Sequence, residues 1–214
     1  MDYLKANDLF ENTIIVYVND NGWEQDPDQE FWYDPMRSHN GGDKGKGSIY
    51  DMSFRTPIIF SYPGHIEPNT RSAALIHSSD IPATLLDYAG IEIPEHYHGM
   101  SYRSLLEGDS SSMRSQVLGN VITTRSDDPN NVMGDHVNGY WIRQGNWFLR
   151  WHETKGEIEL FDLEHDLRND HNVAPDHPEV TAALLKALQS YKASKGADWR
   201  LELYGADLWW YDNM

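Results

Sequence analysis

Two adjacent side chains with hard oxygen donors, Asp20 and Asn21, follow directly on an apolar run in "TIIVYVNDNGW", residues 13–23. A carboxylate and an amide oxygen are the ligand types that calcium and similar cations select. In open α/β sheets, ligands gather beyond the carboxyl ends of strands, which is where this pair stands. Asp-Asn-Gly is also good tight-turn chemistry, so the stretch alone leaves a turn and a ligand pair both open. Lys46 is the second candidate, in "KGKGSIYDMSFRTPIIFSYPG", residues 44–64. It is flanked by glycines and precedes the next apolar run. Its ammonium is a compact point charge suited to an anionic oxygen, and a solvated surface lysine is the ordinary alternative.

Other residues offer less. His39 lies between the two candidates, where it reads as a solvated loop histidine or a substrate contact. His96 and His98 have a His-x-His spacing, but a zinc site needs three or four ligands. Asp26 to Glu30 resembles an EF-hand start without its glycine and its twelfth-position Glu. Trp23, Trp32 and Tyr33 suit either a sugar or aryl pocket or the cover of a sheet edge.

These residues need elements to hold them. Thr13 to Val18 is β-branched, short and followed by turn residues, which predicts a buried strand. Glu24 to Gly47 reads as a long polar loop of the kind usually tied to function. Thr56 to Tyr62 predicts a second strand, closed by Pro63-Gly64. Ser79 is placed to cap a helix that carries Pro82 in its first turn and stops at Gly90, with Ile81, Leu85, Leu86 and Ala89 on its apolar face. A short helix, Tyr102 to Glu107, ends at Gly108. Strand, helix and strand in alternation predict parallel pairing up to about residue 108.

Beyond that point the texture changes. Gln116 to Thr123, Gly139 to Arg143, Asn146 to Trp151 and Glu157 to Leu163 are closely spaced strand candidates, with a hairpin turn at Gln144-Gly145. Asp176 is placed to cap a helix running to about Ser194, striped by Leu184, Leu185, Leu188 and Tyr191. An antiparallel sheet with one packing helix is expected. The aromatic ending "LYGADLWWYDNM" predicts a tail that docks on something.

Bulk composition narrows the partners. The chain has 214 residues, 17 Lys plus Arg against 34 Asp plus Glu, and a formal charge of −17. That disfavours nucleic acid and anionic membranes, which need clustered cations. Apolar runs reach only five or six residues, short of a membrane span. The start shows no basic flank followed by an apolar stretch, so no signal peptide is expected. Cysteine is absent, which removes disulfides and thiol nucleophiles.

Taken in order, these segments resemble the C-terminal part of a sulfatase, of the arylsulfatase-like branch of the alkaline phosphatase superfamily. "NTIIVYVNDNGW" is similar to the family strand that ends in Asp-Asn-Gly or Asp-His-Gly. "KGSIYDMSFRTPIIFSYPG" resembles its Lys-Gly-x-x-Tyr-[Asp/Glu]-x-x-x-Arg-x-Pro segment, with Tyr50, Asp51, Arg55 and Pro57 as framework. "HSSDIPATLLDYAGIEIP", "HGMSYRSLLEG" and "ELFDLEHDLRNDHNVAPDHPEV" resemble three later family segments, so the likeness spans residues 12 to about 194. The resemblance implies that Asp20 and Asn21 ligate a divalent metal, most often Ca2+. It implies that Lys46 is the catalytic and substrate-binding lysine that holds the sulfate.

The fold so implied is α/β. Residues 1–110 would form the C-terminal portion of an alkaline-phosphatase-like α/β sandwich, and residues 111–214 a small antiparallel sheet plus helix subdomain with an aromatic tail. The implied reaction is hydrolysis of sulfate esters, with a sulfated small molecule or glycan as partner. Family members are usually exported, to the periplasm or outside the cell. One departure weighs against activity of these residues alone. The family's nucleophile is a formylglycine made from Cys- or Ser-x-Pro-x-Arg, and no such motif occurs here. The nearest, Ser61-Tyr62-Pro63-Gly64-His65, lacks the Arg. The family's first pair of metal-binding acids has no counterpart either. The N-terminal half of the sulfatase domain is therefore expected elsewhere, and truncation or a partner chain that supplies it would both account for this. The alternatives are a phosphodiester or phosphonate ester hydrolase of the same superfamily, and a non-catalytic pseudoenzyme or partner subunit.

Overall fold

A computed structural model describes residues 1–22, 44–45, 48–109, 113–123, 137–153 and 155–194. The chain clusters into two compact units, Met1–Val117 with Arg143–Asn146, and Leu118–Ile142 with Trp147–Met214. The mixture of helices and strands is the α/β class expected.

In the first unit a short helix α1 (Asp2–Ala6) and a 3-10 turn (Phe10–Asn12) lead into strand β1 (Ile15–Val18). Helix α2 (Asp51–Phe54) precedes strand β2 (Ile58–Ser61), and helices α3 (Asp80–Tyr88) and α4 (Arg103–Leu106) follow. β1 and β2 pair antiparallel, Ile15 opposite Ser61 and Val18 opposite Ile58. This corrects the parallel arrangement read from the alternation of elements. A parallel neighbour requires a crossover that carries the chain back to the strand's starting end. Here the chain returns to the end it left, since the Gly22 N–H donates to the Ser53 carbonyl at 2.9 Å.

β1 also differs from the buried strand expected. Ile15 and Val16 are half-buried, whereas Tyr17 and Val18 are exposed. β1 pairs with β2 alone among the described residues.

α3 buries a different face from the predicted apolar stripe. Asp80, Ala83 and Thr84 are its buried residues, while Leu85 and Ala89 face solvent. The cause is polar. Asp80 and Thr84, one helical turn apart, turn inward to satisfy the backbone N–H groups of His77, Met100 and Tyr102, which burial would otherwise strand.

The second unit holds a four-stranded sheet in the order β3 (Gln116–Thr123), β4 (Val137–Gln144), β5 (Trp147–His152) and β6 (Glu157–Asp162). Gly145, at φ +58°, makes the β4–β5 turn. β5 and β6 pair antiparallel, from Trp147 opposite Asp162 to His152 opposite Glu157. Helix α5 (Pro178–Ser194) packs on β5, and Leu184 and Leu188 join Tyr140, Ile142, Leu149 and Leu160 in one buried cluster. The other sheet face buries Phe148 opposite Phe161, beside a stacked Trp141. Arg150 pairs there with Glu159. Gly119 lies under the Trp141 ring, where a Cβ would sit 3.0 Å from it. Residues 195–214, with the aromatic tail, lie outside the described residues.

Candidate functional site

Antiparallel pairing decides what stands next to Asp20 and Asn21. Val18 lies opposite Ile58, so the residues before β2 come back alongside the residues after β1. The Thr56 hydroxyl donates to the Asn19 carbonyl at 3.3 Å, and Gly22 is tied to Ser53. Gly22 approaches α2 so closely that a Cβ would lie 2.0 Å from the Met52 carbonyl oxygen. Glycine is required there by contact with backbone, which cannot give way. The Asp20–Gly22 turn and the Tyr50–Thr56 segment thus form one joined structure.

Within that turn Asp20 is exposed and Asn21 half-buried. The Asn21 amide nitrogen donates to the Gly22 carbonyl at 2.9 Å, which directs the amide oxygen the other way. An accessible carboxylate and an oriented amide oxygen on adjacent residues fit part of the donor set of a hard cation such as calcium, which takes six to eight oxygens. They would furnish two or three of them.

The supporting segment is built on Asp51, which is buried at the start of α2. Arg55 Nε lies 3.0 Å and Arg143 Nη1 3.6 Å from its carboxylate oxygens. Arg143 belongs to the 143–146 stretch that clusters with this unit. Burial pushes the Asp51 carboxyl up, and the two guanidinium groups pull it back. Just upstream, Lys44 Nζ stands 5.5 Å from the Tyr50 ring centroid, and the Ser48 N–H donates to the Gly45 carbonyl at 3.0 Å. Lys46 lies outside the described residues, as do Trp23, Asp26 to Glu30, Trp32, Tyr33 and His39.

Ser61, start of the incomplete nucleophile motif, is at the wrong end of the sheet. It lies opposite Ile15, five residues before Asp20. At roughly 3.3 Å per residue that is about 16 Å of strand. The structure therefore separates it from the oxygen pair.

A second polar construction holds α3 against residues 98–102. The Asp80 carboxylate, 1% exposed, accepts the backbone N–H groups of His77 and Met100 at 2.8 and 2.9 Å, and Arg114 grips both its oxygens. The Thr84 hydroxyl donates to the Asp80 carbonyl and accepts from the Tyr102 N–H. Ser101 donates to Asp87 at 2.5 Å. Gly99 lies on the Ser79 backbone, where a Cβ would come 1.9 Å from the carbonyl oxygen. Ser79 holds the cap position, yet its hydroxyl engages the His77 ring at 2.9 Å and makes no cap hydrogen bond. The Ser79 N–H donates to the same His77 Nδ1, so that nitrogen is the acceptor and the proton sits on Nε2. Burial holds His77 below the usual histidine range, with Asp80 opposing and Arg114 adding to the effect. Sequence reading missed Asp80 and Arg114. The available signal was the i, i+4 spacing of Asp80 and Thr84 inside an otherwise apolar helix.

His96 and His98 are both exposed. Among the described residues one group has the spacing to hold a metal, Asp162, Glu164 and His165 on the surface turn after β6. There the Asp162 carboxylate is held low by its bond to His165, whose imidazole is raised in return.

The family model for the C-terminal region of N-sulphoglucosamine sulphohydrolase matches residues 42–194. An ulvan-active sulfatase of Formosa agariphila is 26% identical over 216 aligned residues, covering 88% of this chain and 39% of that protein. An N-acetylgalactosamine-6-O-sulfatase of Bacteroides thetaiotaomicron is 30% identical over 211, covering 90% of this chain and 39% of that protein. A solved structure of a protein in complex with its substrate D-glucosamine-2-N,6-O-disulfate superposes with a TM-score of 0.70 at 24% identity, covering 90% of this chain and 36% of that one. The chain thus spans about two fifths of the length of the curated relatives named.

Proposed function

The chain belongs to the sulfatases, in the N-sulphoglucosamine sulphohydrolase C-terminal family, and from that premise we propose that it supplies one side of a metal-assisted site for sulfate ester hydrolysis. Asp20 and Asn21 hold the divalent cation, which their hard oxygen donors suit to calcium. When bound, the cation neutralises charge on the transferring group as a Lewis acid. Lys46 holds a sulfate oxygen, where its ammonium counters the negative charge that develops as the ester bond breaks. Asp51, Arg55 and Gly22 position this apparatus by fixing the turn to the segment that carries the lysine. The nucleophile is not among these 214 residues, so they do not turn over sulfate esters alone.

One observation carries the reading: the antiparallel β1–β2 pairing seats the oxygen pair on the segment that runs from the lysine to β2. The substrate class is a sulfated glycan. Support comes from the amino-sugar sulfatase among the relatives and from the structural neighbour that holds a disulfated glucosamine.

The test is calcium affinity in a completed enzyme, made by joining this chain to the N-terminal part of a sulfatase relative. Asp20→Ala is expected to weaken calcium binding by more than tenfold and to abolish hydrolysis of an aryl sulfate. Unchanged calcium affinity would return Asp20-Asn21-Gly22 to the status of a simple turn.

A further inference from the structure

Asparagine followed by glycine is a reactive pair, and the chain has three: Asn21–Gly22, Asn40–Gly41 and Asn138–Gly139. The glycine nitrogen attacks the asparagine Cγ. A C–N bond forms and closes a five-membered succinimide, while the Cγ–Nδ2 bond breaks and ammonia leaves. Water then opens the ring at one carbonyl or the other, giving aspartate or isoaspartate. Isoaspartate carries the main chain through Cβ and Cγ, one carbon longer than before. Glycine promotes the attack because no Cβ shields its nitrogen and its backbone turns freely.

In the turn after β1 both nitrogens of this reaction are held. The attacking one, the Gly22 N–H, donates to the Ser53 carbonyl at 2.9 Å. The leaving one, Asn21 Nδ2, donates to the Gly22 carbonyl at 2.9 Å. Swinging the Asn21–Gly22 peptide onto Cγ breaks both bonds. A bulkier residue at position 22 would slow the reaction, but none fits, since a Cβ would lie 2.0 Å from the Met52 carbonyl oxygen. Contact with α2 thus imposes the labile residue and supplies the bond that restrains it. α2 is itself held through Asp51, which pairs with Arg55 and Arg143.

We propose that Asn21–Gly22 is a self-modification site restrained by its tie to α2, and that opening of the tie exposes Asn21 to irreversible conversion to aspartate or isoaspartate. Water is the only co-reactant, and no cation is needed. Local opening of the turn sets the rate, rather than unfolding of the whole chain. Aspartate places a second carboxylate beside Asp20. Isoaspartate inserts a carbon ahead of a glycine already pressed against backbone, so the converted turn does not regain its place on α2.

The test ages the full 214-residue chain at neutral pH, folded and in urea. Conversion at residues 21 and 138 is followed by peptide mass spectrometry, and isoaspartate by enzymatic methyl transfer. Asn21 is expected to convert at least tenfold more slowly in the folded chain. Arg55→Ala removes one of the two guanidinium groups that hold Asp51, and should speed conversion of Asn21 at least threefold. Asn138–Gly139, within β4, reports on general unfolding, and its rate should not change. Should it rise as well, Thr56→Val takes the place of Arg55→Ala with the same expectation, because it removes only the hydroxyl bond to the Asn19 carbonyl. Equal rates at Asn21 in folded and unfolded chains overturn the proposal. So does a folded variant in which Asn21 converts no faster than in wild type. Isoaspartate-bearing chains should lose protection of the Gly22 amide against hydrogen exchange, and retained protection would refute the failure to reseat.

Discussion

Gly22 rests on the backbone of Met52, so closely that a single added carbon would stand 2.0 Å from the carbonyl oxygen. This contact joins two stretches some thirty residues apart in sequence. Gly22→Ala is expected to push the turn off α2 and to break the Gly22–Ser53 hydrogen bond. Overpacking against immovable backbone costs about 1–3 kcal/mol or more. In a completed enzyme, calcium affinity should fall with stability. Full calcium affinity in Gly22→Ala, measured by titration, would show that the seat does not matter.

Asp80, itself buried, is gripped by a partly exposed Arg114 and accepts two backbone N–H groups. Removing the carboxylate strands two backbone donors, at a cost of about 1–3 kcal/mol each where they are buried. Asp80→Ala should therefore show a large loss in urea unfolding. Asp80→Asn keeps an acceptor for the Met100 N–H and should lose less. Equal losses in the two variants would mean that the backbone hydrogen bonds contribute little.

His77 predicts a pH dependence. Burial lowers its pKa from the unfolded value of 6.5, so below that value the unfolded chain takes up the proton more readily. Its contribution is fully present above pH 6.5 and declines as pH falls through the window beneath it. His152 shifts in the same direction, whereas exposed His165 is raised and contributes with the opposite sign. The difference between wild type and His77→Gln isolates one group. Thermal midpoints of the two should diverge less at about pH 5.5 than at about pH 7.5, and a constant difference would contradict this.

The second unit depends on a small apolar cluster. Leu188 is fully buried between α5 and the sheet, beside Leu149 and Leu160. Leu188→Ala should destabilise by about 2–5 kcal/mol in chemical denaturation. Leu185→Ala, only half-buried, should cost clearly less. A similar loss at both positions would place the helix in a different rotation.

Short-range patterns were readable and long-range geometry was not. The strands β3 to β6 to within two residues, the Gly145 turn, and Leu184, Leu188 and Tyr191 of the α5 stripe follow from local chemistry: β-branched and aromatic runs, a left-handed glycine, apolar residues at helical spacing. The direction of β2 relative to β1 depends on where the intervening chain returns. Alternation of elements says nothing about that. α3 was misread for another reason. Its buried face is set by Asp80 and Thr84, and hydrophobic periodicity cannot register a polar pair whose task is to satisfy backbone. At the candidate site, the Asp20–Gly22 turn and the Tyr50–Thr56 segment stood out separately in the sequence. Their contact needed Gly22 and Met52 in three dimensions.

The hydrogen bond from Gly22 to Ser53 has an implication for how such proteins diversify. Whatever chain leaves after Gly22 must come back to a fixed clasp next to its point of departure. The entropy of closing a loop grows only with the logarithm of its length. Insertions, deletions or wholesale exchange of that stretch would leave Asp20 and Asn21 where they are. The clasp makes the intervening chain an interchangeable cassette, which can change in length and sequence while the Asp20–Gly22 turn keeps its seat on α2.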